Sequence, residues 1–225
     1  DFVRRNPNPT HPRLAFASFL GDIREHQASH DQMEKAREFD PKNPAPWNDL
    51  ANYYGHFGPV KKSFEYYAKA IELNPREPVY YQNFATTVFL FRKDVREFYQ
   101  IEEQQVFDKA LELYGEAIKL DPDNFELAAD VARTYYGIKP TRTVEALAAW
   151  EYTLKVATNQ IERESVHVNL ARIKLNAGRF DEARQHLNAV TNELHTVVKD
   201  RLIRNLIEKE RKAKATNPPS ATDNK

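Results

Sequence analysis

Trp47-Asn48-Asp49-Leu50-Ala51-Asn52-Tyr53-Tyr54 is followed by Ser63, Tyr67, Ala70 and Pro75, and then the pattern begins again. Tyr81, Phe84, Ala85 and Val88 stand 34 residues after Trp47, Leu50, Ala51 and Tyr54, and Ala110, Tyr114, Ala117 and Pro122 close the second copy. A fixed period of this length marks helical hairpins stacked in a row, because a single hairpin cannot bury its apolar face alone and its neighbour covers it. In the first copy Trp47, Leu50, Ala51 and Tyr54 recur at spacings of three and four, as do Phe64, Tyr67, Ala68 and Ile71, so each set lies along one helix face. Ala51 and Ala70 are small where two helices must approach closely, and Trp47, Tyr54 and Tyr67 fill the gaps around them.

The punctuation between copies repeats too. Phe39-Asp40-Pro41-Lys42-Asn43-Pro44, Leu73-Asn74-Pro75-Arg76-Glu77-Pro78 and Leu120-Asp121-Pro122-Asp123-Asn124-Phe125 share one form. A residue before proline is pushed out of helical geometry, so the first proline of each helps to end a helix. Asn43 and Asn124 suit the cap of the next helix, and Pro44 and Pro78 suit its first turn.

Outward from this core, the first repeat spans 44–77 and the second 78–124. Tyr54 and Tyr67 are 13 residues apart but the matching Val88 and Tyr114 are 26 apart, which places an insertion of about 13 residues near 92–105. It has no glycine or proline, so it is expected to be helical, to lengthen one or both helices, and to be dispensable for the fold. The third repeat, 125–163, carries Val131, Ala132, Tyr135, Ala146 and Trp150, with a longer turn at Gly137-Ile138-Lys139-Pro140 and Thr158 where proline is expected. The fourth, 164–197, carries Leu170, Ala171, Gly178, Phe180, Ala183 and Leu187. Residues 1–12 hold three prolines and are expected to be extended. Residues 13–43 read as a degenerate repeat with a turn about four residues too short, so one long helix is an alternative. Val197, Val198, Leu202, Ile203, Leu206 and Ile207 form the stripe of a capping helix over 198–214, with Lys199, Arg201, Arg204 and Glu208 toward water, and 215–225 is expected to be disordered.

This spacing of small, aromatic and proline positions resembles the tetratricopeptide repeat family. The resemblance implies an all-α, right-handed α-solenoid of tetratricopeptide helix hairpins: about four repeats, preceded by a degenerate segment and followed by a capping helix. It also implies a surface that holds other proteins, and no reaction.

Composition narrows the function classes. Hydrophobic residues make up 41% of the chain, enough for a continuous core. The 33 basic and 33 acidic residues cancel, which gives no long-range attraction to nucleic acid or an anionic membrane. Without cysteine there is no disulfide or thiolate metal site. No apolar run approaches the roughly 18 residues of a membrane span. The chain starts at Asp1, consistent with trimming or with removal of a signal, which leaves a cytoplasmic and an exported or periplasmic location both open.

In the family, the first helix of each repeat lines the concave face. The residues left over after packing is assigned are Asn48, Asn52 and His56 in the first repeat and Gln82, Asn83, Thr86 and Phe89 in the second. In the third they are Glu126, Asp130, Arg133 and Tyr136, and in the fourth Asn169, Arg172 and Asn176. Side-chain amides pair with an extended peptide backbone through one donor and one acceptor each. One subfamily clamps a peptide's terminal carboxylate with two asparagines and three basic residues. Asn52 and Asn83 match the asparagines, but the basic positions fall on Asn48, Glu126 and Asp130, and the two carboxylates repel a carboxylate ligand and favour basic or neutral groups.

Other candidates are weaker. His26 and His30 lie four apart, a spacing that can begin a zinc site with Asp22 or Glu34, but they read better as solvated helix residues, so no metal is assigned. No phosphate loop or nucleophile elbow occurs, so no catalytic residue or cofactor is assigned. Phe57, Tyr66, Phe91, Phe98, Tyr99 and Phe107 fall outside the repeat core slots; those at the insertion either pack the long hairpin or offer a partner an anchor. The chain therefore reads as a non-enzymatic scaffold or adaptor that binds a protein or peptide partner. The alternative is an assembly module within an oligomer or larger complex.

Overall fold

Asn43 accepts a hydrogen bond from the Ala45 amide at 3.0 Å, and Asn124 one from the Leu127 amide at 3.0 Å, so both expected caps start helices. The computed structural model describes residues 10–216, and twelve α-helices and no strand occur among them. They fall into two compact units, 1–122 and 123–225.

The first unit holds α1 (Thr10–Asp22), α2 (His26–Phe39), α3 (Pro44–Phe57), α4 (Val60–Leu73), α5 (Pro78–Leu90), α6 (Arg92–Tyr99) and α7 (Glu103–Leu120). The pairs α1/α2, α3/α4 and α5/α7 are packed hairpins. Pro44 and Pro78 occupy first-turn positions, where a missing N–H costs nothing. Leu50, Ala51, Phe64, Ala70, Ala85, Ala110 and Ala117 are fully buried, so the small residues do sit where helices meet. Each large apolar side chain buried here, such as Phe64, contributes roughly 1.5–3 kcal/mol.

Of the two readings left open for residues 13–43, the structure has the hairpin of a short repeat and not the single long helix. The turn closes in three residues because Arg24 adopts φ 65°, while the Arg24 and Glu25 amides donate to Gly21 O and Leu20 O at 3.0 and 2.8 Å. Ser29 Oγ then donates to Ala17 O at 2.7 Å, and buried Ala17 and Ala36 let the helices close up. Of the segment expected to be extended, 1–9 lies outside the described residues and Thr10 already begins α1.

The insertion both lengthens a helix, as expected, and adds one: α7 has 18 residues against 14 in the matching α4, and the separate helix α6 precedes it, since Gln100 turns the chain at φ 53° and Glu102 with Gln105 forms a capping box for α7. Val95 is fully buried in one cluster with Phe64, Phe84, Val88 and Val106. Phe98 and Tyr99 lie 5.4 and 6.2 Å from the Phe64 ring. The insertion therefore packs into the core of this unit.

The second unit holds α8 (Phe125–Thr134), a 3-10 turn over Tyr135–Gly137, α9 (Thr143–Val156), α10 (Gln160–Asn176), α11 (Phe180–Asn188) and α12 (Thr196–Thr216). The pairs α8/α9 and α10/α11 are hairpins, and α12 packs on α11 and α10. α10 starts four residues before the expected repeat boundary because Asn159 caps it, accepting from the Glu162 amide at 3.0 Å. On α12, Leu202 and Leu206 are buried but Val197 and Ile207 are 81% and 56% exposed, so the covered stripe is narrower than its apolar residues suggested. Of the expected disordered tail, 217–225 lies outside the described residues.

Candidate partner-binding surface

In the first unit, the candidate residues sit on α3 and α5, the first helices of consecutive repeats. Asn83 Nδ2 donates to Asn48 Oδ1 at 3.1 Å, which ties the two helices through their amides. Asn48 is itself buried, and its Nδ2 reaches Asp49 Oδ1 at 3.3 Å. Asn52 accepts a 2.6 Å bond from the Tyr67 hydroxyl, which in turn accepts from Thr87 at 3.3 Å. Burial pushes the Tyr67 hydroxyl up to about 12, against the Thr87 hydrogen bond and with Asp49 adding to the rise. Thr86 Oγ1 donates back to Gln82 O at 2.9 Å and shares a 2.8 Å hydrogen bond with Tyr114. Phe89 lies against Phe107, with the Arg92 guanidinium 5.1 Å from its ring. His56 is exposed at the end of α3 and does not join the amide cluster.

Asp49 belongs with these residues although its place in the run gave no warning. It lies half-buried between the Trp47 and Leu50 packing positions. Burial raises its carboxyl above the ordinary value, partly offset by the Asn48 amide, and its charge is felt at both Tyr67 and Tyr80. The only sequence signal is an acid one position from an amide on a helix whose other neighbours are apolar or aromatic.

In the second unit, Glu126, Asp130 and Arg133 form one exposed group on α8. Arg133 Nη2 lies 2.6 Å from Asp130 and 3.5 Å from Glu126. The two carboxylates thus face a guanidinium of their own chain. Tyr136 donates to Asn169 Oδ1 at 2.9 Å, Asn169 donates to Ser165 O at 2.8 Å, and the Arg172 guanidinium is 5.5 Å from the Tyr136 ring. These contacts join the 3-10 turn after α8 to the middle of α10. Burial raises the Tyr136 hydroxyl, while Arg172 opposes the rise. Beside them lies a cleft of 470 Å³ lined by Tyr135, Tyr136, Lys139, Thr143, Ile173 and Asn176. Asn176 accepts from Lys209 at 3.1 Å.

The histidines serve packing. His26 stacks on Phe57 at 4.1 Å, and His30 Nε2 lies 3.1 Å from the Tyr54 hydroxyl. Among the described residues no group of three or more histidine or carboxylate side chains is placed to hold a metal. No helix among them is long and apolar enough to cross a membrane. A second pair, His167 and His186, meets across α10 and α11 with Nδ1 atoms 2.9 Å apart, which sequence separation concealed.

Comparison with known proteins agrees with the helical-hairpin fold. The family model described as tetratricopeptide repeat matches residues 45–77. A 142-residue segment, 63% of this chain, is 30% identical to the TPR repeat-containing protein MJ1428 of Methanocaldococcus jannaschii, of which it covers 22%. A 69-residue segment, 30% of this chain, is 36% identical to the Photosystem I assembly protein Ycf3 of Rippkaea orientalis, of which it covers 40%. The matches thus span less than half of either relative. Among solved structures, PilF of Pseudomonas aeruginosa aligns with a TM-score of 0.61 over 94% of this chain and 93% of that one, at 18% identity, a likeness of fold.

Proposed function

We propose that this chain, which belongs to the tetratricopeptide repeat family, binds a segment of a partner protein along the first helices of its consecutive repeats. The observation that carries the reading is the Asn83–Asn48 amide contact between α3 and α5. It holds polar side chains of two repeats at one seam, with half-exposed Gln82, Asn83 and Thr86 beside it. Such groups match a peptide backbone, which presents a donor and an acceptor at each residue. The residues assigned to the surface are Asn48, Asn52, His56, Gln82, Asn83 and Thr86 in the first unit. Glu126, Asp130, Arg133, Tyr136, Asn169 and Arg172 form its counterpart in the second. The proposal gives the chain no reaction of its own.

Peptides selected from a random display library on the immobilised protein test this. They should lose binding to the Gln82→Ala/Asn83→Ala variant and keep it to Lys69→Ala, a change on a second helix. Selected peptides that ignore the first variant would place the interface elsewhere.

A second reading, assembly with further copies or a larger complex, is favoured by one observation. Phe16 and Phe19 on α1 and Ile23 in the turn after it are 43%, 54% and 52% exposed. A relative that is itself an assembly protein supports the same reading. Sedimentation mass that rises with concentration and falls on Phe19→Ser would favour it over the adaptor.

A further inference from the structure

Asp49 is a half-buried acid on α3 with no ion pair. Its carboxylate has room for about four hydrogen bonds. The one its surroundings provide is the 3.3 Å contact from Asn48 Nδ2. Asn48's own oxygen is already taken by Asn83. No lysine, arginine or histidine among the described residues pairs with Asp49. The other acids of the candidate surface are different: Glu126 and Asp130 both lie on Arg133. Asp49 is half-buried, and its charge is felt at the hydroxyls of the buried Tyr67 and Tyr80. A carboxylate drawn out of water is costly unless it is paired and hydrogen-bonded. Here the missing pair is a donor-rich cation.

We propose that Asp49 receives a cationic side chain, the guanidinium of arginine or the ammonium of lysine, from a partner segment lying on the α3–α5 surface. The proposal rests on the reading of that surface as the binding face and names the partner's chemistry. The cation donates to the carboxylate oxygens that Asn48 leaves free, while the Asn48 and Asn83 amides flank it. Burial also raises the Asp49 carboxyl, as expected for a charge that its own chain does not compensate. Binding of the cation draws that carboxyl back down, so the complex holds Asp49 ionised. The apo protein carries the cost of the site: removing the charge relieves desolvation without breaking an ion pair.

Two measurements on the full chain test this. The first is thermal unfolding of Asp49→Asn at pH 7, which keeps the shape and removes the charge. A melting temperature equal to or above the parent's is expected, and a clear fall would assign Asp49 to structure and overturn the proposal. The second is a positional-scanning library of dodecapeptides, each position carrying arginine, lysine or glutamine in turn, titrated against both proteins. The parent should prefer arginine or lysine at one position, and Asp49→Asn should bind those peptides at least about tenfold more weakly, the scale of a lost hydrogen bond to a charged group. Peptides that bind the parent with no basic preference, or that bind both proteins alike, would overturn the role of Asp49 and leave the binding face standing. If no peptide binds the parent, both fall together.

Discussion

Asn52 accepts the Tyr67 hydroxyl at 2.6 Å, so a residue assigned to the binding face also satisfies a phenol in the core. Tyr67 is almost fully buried, and a buried donor that loses its partner carries its whole desolvation cost. Asn52→Ala should therefore cost about 1–3 kcal/mol in a denaturant titration. Tyr67→Phe in the same background should recover part of that loss, since it removes the orphaned donor. Equal stability of Asn52→Ala and the parent would show that Tyr67 finds another acceptor.

Ala70 and Ala117 are fully buried at helix crossings in the first unit. Ala70→Trp or Ala117→Trp should destabilise that unit by about 1–3 kcal/mol through overpacking. Unchanged thermal unfolding of both variants would contradict the crossing.

Val95 tests the insertion. Because it is fully buried beside Phe64 and Val106, Val95→Ala should cost about 1–3 kcal/mol through the cavity it leaves. Deletion of 92–105 should abolish cooperative unfolding of the first unit. A deletion that unfolds as sharply as the parent would make α6 an appendage.

These sites also show where the sequence was legible. Asn43 and Asn124, each near a proline connector, announce their caps, and the Ala51 and Ala70 spacing announces close helix contacts, because both depend on residues near in sequence. The end of α6 was hidden: the chain reverses at Gln100 with positive φ, where glycine or asparagine is the usual signal. The α1/α2 turn is concealed in the same way by Arg24. Asp49 is concealed because its neighbour Asn48 is tied to Asn83 and its charge acts on Tyr80, both in the next repeat, which only packing brings near. The pairings Asn48–Asn83 and Tyr136–Asn169 are concealed too, since they are contacts between repeats.

The His167–His186 pair makes the second unit sensitive to acid. Burial lowers both imidazoles; His186 is held at about 4, with Lys174 and His167 adding to the effect of burial. The unfolded chain titrates near 6.5, so between those values it binds more protons than the folded one. The stabilisation is fully present above about pH 6.5 and is lost as pH falls toward 4. Solvent screening of these half-exposed rings reduces the loss to about 1 kcal/mol. Glu182 and Glu164, held at about 2 chiefly by Arg179 and by the Asn192 amide respectively, remain ionised through this window. Melting curves at pH 7.5 and 4.5 should converge for His167→Gln/His186→Gln relative to the parent, and an identical pH dependence in the two proteins would contradict the assignment.

The most direct test of the binding face is site-specific photo-cross-linking in the native host, with a photoreactive residue placed in turn at Gln82 on α5 and at Glu72 on α4. The account predicts a partner adduct from position 82, reduced when Asn83→Ala is added, and none from position 72. An adduct from position 72 with none from position 82 would contradict it.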